Sequence, residues 1–376
     1  MQALSTPVQK QDLFNTAYLG RIPVRNIWLL MLYSSDLFQQ IGKQAGSIES
    51  NPDDIPNLVG EILAHAVAKR TRRHLSAGFI TRHDDLHRVR GRIDVLSTYR
   101  RGLLEKAKVA CRFEELTVDT LRNRLVLVAL DSMSHLVSGE LMHRCRQLAN
   151  LLKKHGVNKI KPTHREIDAI TYCRQDASDA VMLAAAKLAL NLALPTEDVG
   201  LHHLYAPDRD EVWARKLFEK AVAGFYKVAL PASQWQVDSG KRLFWQFSHM
   251  SSGMSLVLPS MQADIVLESK SAGRRIVIDT KFNAIVTRGW HRDESLRSGY
   301  IYQMYAYLRS QVRPDDVLSE HAGGLLLHPS VGHAFDESVH IQGQTLRFAT
   351  VDLSARATEI RARLLSLIES PAFELI

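Results

Sequence analysis

The spacing of apolar side chains changes repeatedly along the 376 residues. Behind Ile22-Pro23-Val24-Arg25-Asn26, residues 27–38 are apolar at helical spacing, which predicts a buried helical segment. A polar loop punctuated by Asn51-Pro52-Asp53-Asp54 follows. Residues 57–74 read as a helix, apolar at Leu58, Ile62, Leu63, Ala66 and Val67 and basic toward its end, where cations suit the helix dipole. Over 79–116 the period shortens: 81–95 alternates around Gly91, and 108–116 is a second β segment. Helical spacing returns at 123–137, 141–154 and 177–194.

Turn formers gather at Pro195-Thr196-Glu197-Asp198 and Pro207-Asp208, so the expected division is into residues 1–200 and 201–376. Beyond it the pattern predicts an amphipathic helix over 211–228, strands at 244–249, 261–267 and 275–282, and a helix over 298–309. Strands at 323–328 and 345–351 and a closing helix over 354–369 complete the chain. This order predicts an α/β fold, α+β over the whole chain. An N-terminal domain of mixed helices and strands precedes a domain with a central mixed β-sheet flanked by helices. No internal repeat of fixed period occurs.

Composition narrows the class. With 45% apolar and 23% charged residues the chain can build cores, which excludes extended disorder. No apolar run reaches the roughly 20 residues of a membrane span, and the N-terminus lacks the apolar core of a signal peptide, so a cytoplasmic location is expected. Three cysteines, Cys111, Cys145 and Cys173, without a CxxC pair exclude a disulfide framework. The net charge of +8 is concentrated: between Glu61 and Leu125 there are 15 Lys/Arg against 8 Asp/Glu. Lys69-Arg70-Thr71-Arg72-Arg73, Arg88-Val89-Arg90-Gly91-Arg92 and Arg100-Arg101 carry the excess. Such runs suit a solvated face, phosphate contact or an acidic protein surface.

The sharpest chemistry lies in Ala263-Asp264-Ile265-Val266-Leu267, a polar turn, and Ile276-Val277-Ile278-Asp279-Thr280-Lys281. The turn predicts a hairpin, and alternation points Asp279 and Lys281 to one side of a strand that is apolar on both faces. Carboxylates and an ammonium at the end of such a strand are costly unless they meet a metal or one another. Asp264 and Asp279 together suit one hard cation, for which Mg²⁺ fits, and Lys281 suits the attacking water and the charge of a scissile phosphate. A structural Asp–Lys pair is the competing reading. Glu219, on the helix before the strands, and Gln303 with Tyr307, at i and i+4 on the helix after them, extend the set.

In that order these residues resemble a PD-(D/E)xK nuclease domain with the Gln-x-x-x-Tyr helix of its RecB-like branch. The whole chain resembles the McrC family, the nuclease subunit of the McrBC 5-methylcytosine-dependent restriction system. The strings that carry the likeness are Ile22-Pro23-Val24-Arg25-Asn26, Val89-Arg90-Gly91-Arg92-Ile93-Asp94, Cys111-Arg112-Phe113-Glu114-Glu115-Leu116-Thr117-Val118-Asp119-Thr120 with Asn123-Arg124, and Leu217-Phe218-Glu219-Lys220. The likeness spans residues 22–308, with Ala263 where the motif name has proline, and the segment after Arg309 matches nothing.

The resemblance implies a Mg²⁺-dependent DNA endonuclease in which Asp264 and Asp279 hold the metal with help from Glu219 and the Thr280 carbonyl. Lys281 would assist the water, while Gln303 and Tyr307 position the substrate. It implies as partners a McrB-like AAA+ GTPase hexamer, which binds the GTP, and methylated or otherwise modified double-stranded DNA. Two copies of the chain would pair in the active assembly. In that family the N-terminal domain docks in the partner's central pore and stimulates its GTPase, so residues 81–116 are the candidate docking element, with direct DNA contact as the competing use. The chain agrees in having no G-x-x-x-x-G-K-[ST] phosphate loop.

Two further readings stand beside this one: a self-sufficient repair or defence nuclease, and a non-catalytic adaptor of an AAA+ GTPase. His202, His203, His249 and His291 lack the carboxylate or cysteine spacing of a zinc site. Trp235, Trp245 and Trp290 read as packing rather than base stacking, and Cys111 has no His–Asn arrangement near it.

Overall fold

Two short helices open the chain in a computed structural model of the protein, which describes residues 22–42, 54–170, 179–197, 207–287 and 295–369. They are α1 (Val24–Tyr33) and α2 (Asp36–Ile41). Ser35 caps α2 by accepting the Phe38 N–H at 3.2 Å. Seven of the ten residues of α1 are buried, as the apolar run predicts.

The described residues form two compact units, one of residues 56–196 and one that joins the first helices to residues from 197 onward. The expected division at residue 200 placed those helices in the first domain. The structure packs α1 against the long helix that opens the second half instead.

In the unit of residues 56–196, α3 (Ile55–Thr71) leads into β1 (Gly78–Leu86), β2 (Arg92–Ile93), α4 (Val95–Arg100) and β3 (Val109–Thr117). The three strands form an antiparallel sheet in the order β1-β3-β2, with Gly78 opposite Thr117 and Leu86 opposite Val109. The alternation over 81–95 is therefore not one strand. Gly91 breaks it at φ +69°, and Asp94 accepts the Ser97 N–H at 2.9 Å to start a helix. Most of β1 is exposed, and only Ala110, Cys111 and Phe113 of β3 are buried. Helices α5 (Leu121–Leu136), α6 (Gly139–Lys154), α7 (His164–Asp168) and α8 (Ala180–Glu197) complete the unit. Buried Asn123 donates to Ser76 O at 2.9 Å and Val118 O at 2.7 Å, satisfying carbonyls of the turns beside the sheet.

The other unit holds α9 (Pro207–Ala229), β4 (Gln236–Leu243), α10 (Met254–Val257), β5 (Met261–Ser269), β6 (Arg274–Thr280), β7 (Val286–Thr287), β8 (Ser295–Leu296) and α11 (Ser298–Arg309). It ends with α12 (Val317–Glu320), β9 (Gly323–Ser330), β10 (Asp336–Ile341), β11 (Gln344–Asp352) and α13 (Ala357–Glu369). Six strands form one mixed sheet in the order β10-β11-β9-β6-β5-β4, parallel at β11-β9 and β9-β6 and antiparallel elsewhere. This is the expected mixed sheet with helices against it. Residues 244–249 correct the expected strand: they lie outside every strand, with Phe244 and Phe247 exposed. The strand that pairs with β5 is the polar edge β4, whose few apolar residues gave no alternation to read.

Helices α1 and α9 meet closely. Tyr33 stacks at 5.2 Å from Phe225 and 4.9 Å from Phe38, and Tyr226 donates its buried hydroxyl to Leu364 O at 2.8 Å. A Cβ on Gly224 would sit 2.0 Å from the Tyr33 carbonyl oxygen, so only glycine permits this approach. Gly224→Ala should therefore destabilise the protein by about 2–3 kcal/mol, read as a lowered urea midpoint; an unchanged midpoint would contradict the close packing. Among the described residues no helix is long and apolar enough to cross a membrane.

Candidate active site

Strand β6 carries the site because its apolar residues fix it in the middle of the sheet. Ile276, Val277 and Ile278 are at most 3% exposed, and burying each such side chain contributes roughly 1.5–3 kcal/mol. The strand ends in Asp279 and Thr280, buried too, with Lys281 just beyond. On β5 the last register pair before the site is Ile265 with Ile278, so Asp264 and Asp279 are the next residue on each strand.

Each predicted polar group has a defined neighbour. Lys281 Nζ stands 2.5 Å from Asp279 Oδ2. Asp264 Oδ2 accepts from both the N–H and the hydroxyl of Thr280, each at 2.7 Å. Thr280 thus orients Asp264 through its own donors, a use the sequence does not announce. Gln303 donates to the Tyr307 hydroxyl at 2.6 Å, joining the i and i+4 residues as expected. Glu219 and Asp264 line one small cavity of about 110 Å³ together with Ser34, Lys227 and Ser239.

The electrostatics tie these groups together. Burial pushes the Asp279 carboxyl up to about 6, opposed by the Lys281 ammonium and reinforced by the Asp264 charge. Burial also raises Glu219, with Asp264 and then Asp279 adding like-charge repulsion. Tyr307 is raised by burial, lowered by the Gln303 hydrogen bond, and raised again by the charge on Asp279. Four elements, α9, β5, β6 and α11, therefore bring their polar groups within electrostatic reach of one another.

The arrangement suits a cation without presenting a finished cage. Asp279 Oδ2 is buried and meets only the Lys281 ammonium, which leaves it a lone pair that a hard cation could take. Among the described residues no group of three or more His, Cys, Asp or Glu side chains stands ready to hold a metal. Asp264 and Asp279 are thus the pair best placed to do so, and Glu219 stands at the edge.

Three residues that sequence reasoning missed support Lys281. Its ammonium lies 5.1 Å from the centre of the Tyr300 ring, whose hydroxyl accepts from Asn283 Nδ2 at 2.7 Å. The Asn283 carbonyl accepts from the buried His328 ring at 2.9 Å, and burial lowers that imidazole to about 4, keeping it neutral. None of the three belongs to a spacing motif, and only the fold brings them together.

His202, His203, His291, Trp290 and Cys173 lie outside the described residues. Trp245 donates its indole N–H to Pro259 O at 2.8 Å. Cys111 and Cys145 are buried, and burial raises the Cys145 thiol to about 11, which makes it a poor nucleophile.

The chain is 24% identical over 355 residues to the type IV methyl-directed restriction enzyme EcoKMcrBC of Escherichia coli K12, covering 93% of this chain and 97% of that one. It is similar to a chain of the Thermococcus gammatolerans assembly of McrB AAA+ hexamers with bound McrC, at 15% identity and a TM-score of 0.38 over 84% of this chain and 68% of that one. The model of the McrBC 5-methylcytosine restriction system component family matches residues 8–327. The chain belongs to the family of McrBC 5-methylcytosine restriction system components.

Proposed function

We propose that this chain is the Mg²⁺-dependent DNA endonuclease subunit of a modification-dependent restriction system and works with an AAA+ GTPase partner. The observation that carries the reading is the Asp279–Lys281 pair at the end of a buried strand, beside an Asp264 oriented by Thr280. Magnesium bound there would stabilise charge on the scissile phosphate and make bound water more acidic. Asp264 and Asp279 would hold it, with the Thr280 carbonyl and Glu219 as further oxygens. Lys281, steadied by Tyr300, orients the attacking water and offsets negative charge on the phosphate. Gln303 and Tyr307 present an amide and a hydroxyl to the substrate strand.

The exposed ribbon of β1 and β3 favours protein docking over direct DNA contact. Arg82 pairs with Glu115 and Arg101 with Asp85, so part of its basic charge is already answered. Phe79, Leu96, Tyr99 and Leu116 are 62–83% exposed on this ribbon and its helix. Exposed aromatic and aliphatic side chains among arginines match the composition of a protein interface better than that of a phosphate-binding face. The partner, which supplies the GTP site, is the proposed occupant.

The metal assignment is tested by melting the full chain with and without Mg²⁺ at pH 7.5. Wild type should melt at a higher temperature with Mg²⁺, and Asp264→Asn and Asp279→Asn should not. A wild type indifferent to Mg²⁺ would remove the metal from the proposal.

A further inference from the structure

A second cleft opens beside the acidic pair. It has a volume of about 230 Å³, and its floor includes Val266 and Val277, which face each other across β5 and β6. Each valine lies two residues from the site aspartate on its own strand, about 6.6 Å at the rise of an extended chain. Tyr307, the acceptor of the Gln303 hydrogen bond, lines the cleft as well. Tyr307 is therefore shared by the cleft and the candidate active site.

Its charge is unbalanced in a specific way. Four cations line it. Arg275 is answered by Glu268 at 2.9 Å and Asp316 at 2.6 Å, and Lys241 by Asp238 at 2.9 Å. Arg242 and Arg313 are exposed, and among the described residues neither guanidinium has a carboxylate partner. At the rim stands Phe244, 66% exposed. Its exposure is not the result of a loose backbone: Gln311 donates to the Phe244 carbonyl at 3.0 Å, and Gln246 donates to Ser310 O at 2.8 Å and Val312 O at 3.1 Å. The fold thus holds an exposed aromatic ring on the same cleft as two unanswered arginines.

We propose that this cleft is a subsite for the DNA strand flanking the scissile phosphate. Arg242 and Arg313 each contact a backbone phosphate, and Phe244 packs against a deoxyribose of the same strand. The proposal rests on the nuclease reading, because Tyr307, assigned there to position the substrate, also lines this cleft. Guanidinium groups match phosphate in a bidentate manner, and the sugar–phosphate backbone is the same at every position, so the subsite is independent of sequence.

The test uses the full chain and a 24-base-pair duplex in EDTA, where no cleavage intervenes, with affinity measured across salt concentrations. Arg242→Ala with Arg313→Ala should lower the slope of log affinity against log salt by about 1.8, near 0.9 for each phosphate left unneutralised. Phe244→Ala, which removes an uncharged contact, should weaken binding and leave the slope unchanged. Lys270→Ala, at the hairpin turn beyond the other end of β5, should match wild type in both. All these side chains are exposed, and circular dichroism confirms that the variants fold.

A double variant with wild-type slope and affinity overturns the subsite, as does a wild type that does not bind the duplex. If the variants bind as wild type does while Asp279→Ala abolishes cleavage, the subsite fails and the nuclease reading stands. If the slope falls as expected while Asp279→Ala still cleaves, the subsite stands and the catalytic assignment fails. Loss confined to stimulation of the partner's GTPase, with DNA binding intact, would make the cleft a contact for an acidic protein surface and overturn the proposal.

Discussion

Cleavage of methylated DNA by Asp279→Ala should fall at least about a hundredfold below wild type, the loss expected when one aimed electrostatic group leaves an active site. The substitution removes more than a ligand. Lys281 would lose its carboxylate neighbour at 2.5 Å and keep only the Tyr300 ring. The lysine proposed to orient the water and the oxygens proposed to hold the metal would both be compromised. The ribbon of β1 and β3 lies in the other compact unit, so stimulation of the partner's GTPase should persist. Plasmid cleavage and GTP turnover, measured on the same preparation, separate the two functions. Loss of both together would mean that Asp279 supports the fold rather than the chemistry.

Asp279→Asn should stabilise the metal-free protein, and by an amount that depends on pH. The folded Asp279 binds its proton more tightly than the unfolded one, moving from 3.8 to about 6. Its contribution to stability is present below pH 3.8 and is lost as pH rises through 6, a change of about 3 kcal/mol. His328 works in the opposite sense. Its pKa falls from 6.5 to about 4 on folding, so its contribution is present above pH 6.5 and is lost as pH falls toward 4. Between pH 4 and 6 the two trends oppose each other in wild type. Removing the carboxylate leaves the histidine's trend alone. Urea unfolding in EDTA should show the variant gaining on wild type from pH 4.5 upward and levelling off above pH 6.5. A difference that stays constant across that range would contradict a buried, raised Asp279.

How much of this could be read in the sequence follows from what makes a readable pattern. Strand β6 announced itself because Ile276, Val277 and Ile278 are buried on both faces, and α9 because its apolar residues recur at helical spacing. Edge strands β4 and β10 did not, since their side chains are polar and half exposed, leaving no alternation. Residues 244–249 read as a strand because they are aromatic, yet the fold holds them at the surface by glutamine side chains that donate to backbone carbonyls, bonds invisible to periodicity. Asp264, Asp279, Lys281, Gln303 and Tyr307 were legible through order and spacing. Tyr300, Asn283 and His328, which stand behind Lys281, were not, because they come from three separate segments that only the sheet and α11 bring together. The packing of α1 on α9 was equally hidden, since Gly224 gives no sign in the sequence that a carbonyl passes over it.

The measurement that tests the central claim most directly is cleavage of methylated and unmethylated plasmid by wild type and Asp279→Ala. It is run with Mg²⁺, with and without GTP and a McrB-like AAA+ GTPase from the same source. The account predicts cleavage of methylated plasmid by wild type alone, and only with partner and nucleotide present. Cleavage by Asp279→Ala at the wild-type rate, or raised GTP turnover without cleavage by either chain, would contradict it.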